Sequence, residues 1–238
     1  MDFKQALSLR GKLAFAEGQT FCRLTAYVAR ALSEWASLPG PRMLTEEMEF
    51  GLRFAVSHLK SAGPRRIRPK SDEPPVLIFT DGACEDSTSI GGVLIAPGMQ
   101  PEAFGCVLRE TDLEAWKTKS DQRQVIGQAE IFPVLVAKLT WSKYLEGRRV
   151  IFFIDNESAK IALIRAYSPV LASLKLVMEC SAWDYHNNCS SWYTRVPTCC
   201  NVADDPSRMV WSEQLKRLGA RVVSPVLPSG MSPAEEMK

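Results

Sequence analysis

The run Val76-Leu77-Ile78-Phe79 is unbroken apolar chain that reaches Asp81 after a single threonine, and Val150 to Ile154 repeats the pattern and ends at Asp155. Runs of this kind, rich in β-branched and aromatic side chains, suit strands covered on both faces. Each therefore sets a carboxylate in or beside a core. Desolvating a carboxylate is costly unless it is paired, hydrogen-bonded or bound to a cation. The sequence next to Asp81 supplies no such partner, so the fold has to bring one from elsewhere.

Around these two strands the pattern is that of a mixed α/β domain. The segments SIGGVLIAPG and EAFGCVLRET read as two further strands separated by turn residues, making a meander with the first. From Gln128 to Leu145 the period becomes helical, with Ile131, Leu135 and Leu139 on one stripe and Val134, Trp141 and Leu145 beside it. Pro133 is tolerated only near a first turn, which predicts that Glu130 lies close to the helix N-terminus. A helix follows Asn156 through Ala159, Leu163 and Ile164, and Pro169 breaks it. Leu171 to Trp183 reads as another helix, SSWYTRVPT as a strand, and NVADDPSR as the opening of a last helix through Val210, Leu215 and Leu218. Strands in a meander, then alternating with helices, predict one α/β domain of about 150 residues, a mixed sheet with helices on its faces. The tail from Ser224, with several Pro, Ser and Gly, is expected to be disordered.

Ahead of that domain, Leu24, Val28, Leu32 and Trp35 recur at steps of three and four from Phe21, an amphipathic helix that should stop before Pro39 and Gly40. A second helix is expected from Glu46 to Leu59, capped by Thr45, with Met48, Leu52, Val56 and Leu59 as its stripe. The stretch KSAGPRRIRPKSDEPP has four prolines, five basic groups and no hydrophobic period, and reads as an exposed linker. Its Arg65, Arg66, Arg68 and Lys70 fit either a solvated tether or a strap that tracks phosphates. The expected organisation is a helical segment over 1–60, a linker over 61–75, the α/β domain over 76–223 and a tail over 224–238.

A net charge of +2 excludes a strongly basic binder, so any nucleic-acid role has to rest on local features. Seven cysteines without a CxxC pair, and no apolar leader, predict reduced thiols in an intracellular protein, nuclear or cytoplasmic. Cys199 and Cys200 are adjacent, and with His58 and His186 as the two histidines a tetrahedral zinc site is disfavoured. No stretch approaches the roughly 20 apolar residues of a membrane span.

Asp81, Glu130, Asp155 and Asp204 all fall at junctions of strand ends and helix starts, where sites form in open α/β sheets. Each has an ordinary structural alternative: a turn aspartate at Asp81, a helix cap at Asp155, a first-turn acid at Glu130, a capping or solvated residue at Asp204 or Asp205. Four carboxylates brought together are stable only around cations unless some are protonated. An acid-only donor set suits Mg2+, and two such ions roughly 3.5–4 Å apart can activate a water and stabilise the leaving oxygen of a phosphodiester.

In that order, FTDGA, QAE, FIDNESA and NVADDPSR resemble the ribonuclease H domain of retroelement reverse transcriptases, over roughly Val76 to Arg208. The ending, with Asn, Ala-Asp and Ser-Arg, is most similar to the gypsy-class and tyrosine-recombinase-type elements. SLRGKLAFAEGQTFCRL resembles the helical piece joining polymerase thumb to ribonuclease H domain in those elements. The resemblance implies a ribonuclease H-like five-stranded mixed sheet, two Mg2+ ions (Mn2+ being the substitute) and hydrolysis of the RNA strand of an RNA–DNA hybrid to a 5′-phosphate and a 3′-hydroxyl. It implies that Asp81 bridges both ions, that Glu130 and Asp155 complete the site, and that Asp204, following Ala203, holds the second ion, with Asp205 in reserve. Asn156 and Arg208 are candidates for sugar or phosphate contacts. The substrate would be read by shape and 2′-hydroxyls rather than by sequence.

Two departures from the family stand out. VPTCCNVAD carries no histidine before the last acid, and no basic, Trp-bearing protrusion interrupts Tyr167 to Ala172. They imply slow turnover and weak, salt-sensitive hybrid binding, with a polymerase domain as the natural supplement. They also motivate an alternative, a catalytically weak or inactive ribonuclease H-like module that binds nucleic acid without cutting. A third reading is another nuclease or an integrase of the same fold, acting on DNA.

Overall fold

The structure is a computed structural model that describes residues 2–20, 23–37, 43–63, 72–117 and 125–237. The chain divides into two compact units, Met1–Arg68 and Pro69–Lys238. The residues expected to bound the first amphipathic helix (Phe21, Pro39, Gly40) and the linker bases Arg65, Arg66, Arg68 and Lys70 lie outside the described residues.

The first unit holds α1 (Phe3–Thr20), α2 (Ala26–Ser37) and α3 (Glu46–Ser61). Val28 and Leu32 are buried on α2, as their spacing predicts, whereas Leu24, expected in the same helix, is buried in the turn ahead of its start at Ala26. Thr45 caps α3 by accepting from the Met48 amide at 3.2 Å. The buried stripe of α3 runs through Met48, Ala55 and His58, and Val56 faces outward, against expectation. The reason is Gly51: a Cβ there would lie 2.8 Å from the Tyr27 ring and from Val28, so α2 packs on the helix along the line of the missing side chain.

The second unit runs β1 (Val76–Cys84), β2 (Thr88–Ile95), β3 (Glu102–Leu108), α4 (Glu110–Leu113) leading into a 3-10 turn (Glu114–Trp116), α5 (Ile126–Thr140), α6 (Ser142–Leu145), β4 (Arg149–Ile154), α7 (Glu157–Arg165), α8 (Leu171–His186), β5 (Ser190–Arg195), a second 3-10 turn (Thr198–Cys200), α9 (Asp204–Ser207), α10 (Glu213–Arg217), β6 (Arg221–Val222) and β7 (Pro233–Glu236). The sheet order is β5-β4-β1-β2-β3-β6, with β7 also on β3. β1, β2 and β3 form the antiparallel meander, whereas β4 joins β1, and β5 joins β4, in parallel. This is the mixed α/β sheet flanked by helices that the pattern predicts, extended by the two short strands β6 and β7.

Strand alternation gives the sheet two different faces. Ile78, Ile90, Leu94, Phe104 and Phe152 point one way and form the main core with Phe132 and Val136 of α5 and Val177 and Cys180 of α8. Val93 and Ala103 point the other way and form a smaller core with Ala203, Leu215 and Met237. At the end of α5 remote from Glu130, the fully buried Lys138 is held by Asp184 of α8 and donates to the Ser191 hydroxyl of β5 at 2.7 Å.

Three segments differ from expectation. α5 begins at Ile126, and Pro133 lies in its interior rather than in its first turn. Proline removes one bond, to the Ala129 carbonyl, and crowds that carbonyl, a penalty that tertiary packing offsets in a helix buried on nearly every side. The expected last helix is two short ones, because Met209 adopts a left-handed conformation (φ 61°) between them. The tail expected to be disordered carries β7, which pairs antiparallel with β3 and buries Met237 in the smaller core, a long-range pairing that local composition does not encode. No helix among the described residues is long and apolar enough to cross a membrane.

Candidate metal centre

Asp81 sits in β1 opposite Gly91 of β2, and Gly91 is opposite Gly105 of β3. These residues share the face that carries α9. A Cβ on Gly91 would lie 2.3 Å from the Ser207 amide nitrogen, and one on Gly105 would lie 2.2 Å from the Pro206 carbonyl oxygen. The two glycines thus form a trough in the sheet into which the backbone of α9 settles. Seated there, Ser207 donates to Asp81 Oδ2 at 2.5 Å, while Asn201 donates to Asp81 Oδ1 at 3.4 Å and to the Thr80 carbonyl at 3.2 Å.

Glu130 arrives from the other face. A Cβ on Gly82 would lie 2.1 Å from the Ala129 carbonyl oxygen, the carbonyl that Pro133 leaves without an intrahelical donor. A bare Gly82 lets α5 approach β1 at the residue before Glu130. Asp155 comes from the end of β4, whose Ile154 is in register with Thr80, so it stands level with Asp81, which lies inside β1 rather than at a strand end as expected, because pairing with β2 carries that strand on to Cys84.

Asp81, Glu130 and Asp155 each offer a carboxylate oxygen, and these oxygens all lie within 4.8 Å of one another. Asp81 and Glu130 are buried and Asp155 is half-buried. Glu130 Oε2 and Asp155 Oδ1 are buried oxygens without a hydrogen-bond partner. Burial pushes the Asp81 carboxyl up to about 7, helped by the charges of Asp155 and Asp204 and opposed by donation from Ser207. Burial, then the charges of Asp81 and Asp155, push Glu130 up to about 8 against a hydrogen bond from Asn156. Three acids turned on one another, two of them with unanswered oxygens, fit a hard divalent cation. The set contains neither thiolate nor imidazole, which fits Mg2+ or Mn2+ rather than a softer metal.

Asp204 opens α9 but stands outside this group of three. Its charge is felt at Asp81, and its Oδ1 accepts from Arg208 Nε at 3.2 Å. Arg208 is also paired with Glu85, so two carboxylates already hold its guanidinium. Asn156, not Asp155, caps α7: its Oδ1 accepts from the Ala159 amide at 3.0 Å, which frees Asp155 for the cluster.

Sequence reasoning missed Asn201, Ser207 and the three glycines. The glycines inside otherwise apolar strands were a usable sign of close backbone approach. Both hydrogen-bond donors lie within NVADDPSR, but nothing local marks their bonds to Asp81.

No protein-family model matches the chain, and no curated protein matches it. Among solved structures it is similar to RNase H1 from the halophilic archaeon Halobacterium salinarum NRC-1, at 16% identity and a TM-score of 0.45, over 57% of this chain and 96% of that one. It is similar to the N-terminal RNase H domain of rv2228c from Mycobacterium tuberculosis, solved as a fusion with maltose-binding protein, at 16% identity and a TM-score of 0.41, over 56% of this chain and 91% of that one. LC11-RNase H1 in complex with an RNA/DNA hybrid matches at 15% identity and a TM-score of 0.41, over 59% of this chain and 99% of that one. Likeness at this level is one of outline, and the chemistry of the chain is read from its own side chains.

Proposed function

We propose that the chain is a divalent-metal-dependent endoribonuclease that hydrolyses the RNA strand of RNA–DNA hybrids, acting as the ribonuclease H part of a retroelement reverse transcriptase. The observation that carries the reading is the meeting of Asp81, Glu130 and Asp155 within 4.8 Å, with two buried oxygens unpartnered. Bound there, two Mg2+ ions would supply an activated water and charge neutralisation at the scissile phosphate.

In this reading the chain's residues hold and orient. Asp81, Glu130, Asp155 and, on the exposed side, Asp204 are the ligands. Asn156 steadies Glu130 while capping α7, and Arg208, paired with Asp204 and Glu85, is the candidate for a sugar or phosphate contact. The order FTDGA, QAE, FIDNESA, NVADDPSR supports the retroelement assignment, and with it a polymerase domain as partner.

The test is cleavage of a labelled hybrid with magnesium. Wild type should cut the RNA strand, and Asp155→Asn should lose at least about a hundredfold while folding normally. Equal, negligible cutting by both defeats the catalytic claim. The missing histidine in VPTCCNVAD favours one other reading, a module that binds hybrid without cutting it. That reading requires binding without cleavage, and hybrid affinity and thermal stability that ignore millimolar magnesium. Cleavage of duplex DNA in preference to hybrid would assign the site to a DNA nuclease instead.

A further inference from the structure

Two residues outside the acid set orient the Asp81 carboxylate. Ser207 is fully buried and fixed on several sides. Its amide donates to the Ala203 carbonyl at 3.0 Å, its carbonyl accepts from the Ser89 hydroxyl at 2.5 Å, and α9 rests in the trough left by Gly91 and Gly105. Its own hydroxyl has one proton and two acceptors in reach, Asp81 Oδ2 at 2.5 Å and the Asp204 carbonyl at 2.8 Å. The nearer acceptor is the carboxylate, and a charged acceptor makes the stronger bond.

A carboxylate has about four lone-pair sites, two on each oxygen. Ser207 takes one on Oδ2 and Asn201 one on Oδ1. One site on each oxygen is left for a cation, and the donors on either side restrain the χ2 rotation of the carboxylate. Asn201 is itself held, because its amide also donates to the Thr80 carbonyl and its Oδ1 accepts from the Ala203 amide at 3.2 Å. Both donors belong to the segment that carries Asp204, so that segment delivers the last acid and orients the first.

We infer that Ser207, assisted by Asn201, is a positioning residue that fixes the Asp81 carboxylate so that each of its oxygens keeps one lone pair open to a divalent cation. This rests on the metal-site reading above. The experiment uses the full chain and reads Mn2+ uptake directly, by calorimetry or by the free-Mn2+ electron paramagnetic resonance signal, without substrate. Ser207→Ala removes one oxygen and should fold with a melting temperature near wild type. It should bind Mn2+ about 10–100-fold more weakly, the usual effect of removing a partner that orients a ligand. Its kcat should fall at fixed metal with KM for hybrid unchanged, and raising the metal concentration should restore it; Asp81→Asn should not be rescued in this way. Asn201→Ala should shift Mn2+ affinity in the same direction.

Mn2+ affinity in Ser207→Ala equal to or tighter than wild type overturns the inference. So does a loss of thermal stability with affinity intact, which would make the hydroxyl a packing element. A change in Asn201→Ala with none in Ser207→Ala also overturns it. A wild type that takes up no Mn2+ fails earlier and overturns the metal-site reading itself.

Discussion

Asp81 is held near 7 by burial and the charges of Asp155 and Asp204, and Glu130 near 8 by burial and the charges of Asp81 and Asp155, well above the 3.8 and 4.5 of the free side chains. Both groups keep their protons more tightly in the folded chain than in the unfolded one. Without metal, the folded state is therefore favoured below about pH 4 and loses that advantage as pH rises through about 7 to 8. Thermal melts of the metal-free protein should show stability falling across that window. A divalent cation bound by these carboxylates would compete with those protons, so on the proposed reading the rise in melting temperature with magnesium should be larger at pH 8 than at pH 5.5. A metal effect that does not change with pH would contradict the site. The cysteines give a second residue-scale prediction. Cys106, Cys180 and Cys189 are buried and pushed up to about 12, whereas Cys199 and Cys200 are exposed with sulfurs 3.8 Å apart. Thiolates are the reactive form. Brief alkylation of the native protein followed by peptide mass mapping should label Cys199 and Cys200 and spare the three buried thiols.

The elements meet where side chains are missing. Gly82 admits α5 to one face of the sheet at the level of the acids, and Gly91 with Gly105 admits α9 to the other. Each neighbour is backbone, which cannot rotate aside, so Gly91→Ala has to lift α9 or bend β2. It should destabilise the fold by about 1–3 kcal/mol, as overpacking does, and weaken Mn2+ binding by more than the stability loss explains. Gly98→Ala is the control: its Cβ would meet open space, although its φ of +73° carries a backbone penalty, so it should reduce stability alone. Chemical denaturation beside a Mn2+ titration separates the two effects.

In the whole molecule the tail is structural. Met237 lies in the smaller core with Val93, Ala103, Ala203 and Leu215, and its amide donates to the Gly105 carbonyl at 2.8 Å. Truncation after residue 223 should lower stability by at least about 2 kcal/mol, read as a shift in the urea midpoint. That tail also shows where sequence reading stops. Asp81 and Asp155 were legible because an apolar run that meets a carboxylate is a local signal, although β1 runs on to Cys84 and holds Asp81 within the strand, not at its end. Glu130 was legible through its helix, although Pro133 misled the helix start. β7 and the Ser207 bond depend on pairings between residues more than a hundred apart, such as Gly105 with Met237 and Asp81 with Ser207, and no local pattern announces them. Because the acids sit on β1, α5, the end of β4 and α9, no single supersecondary piece contains the centre. During refolding from denaturant, helices and hairpins can form while ion uptake stays silent. The Mn2+ signal should return only in the slowest cooperative phase, which makes cation capture a clock for the moment the native architecture closes.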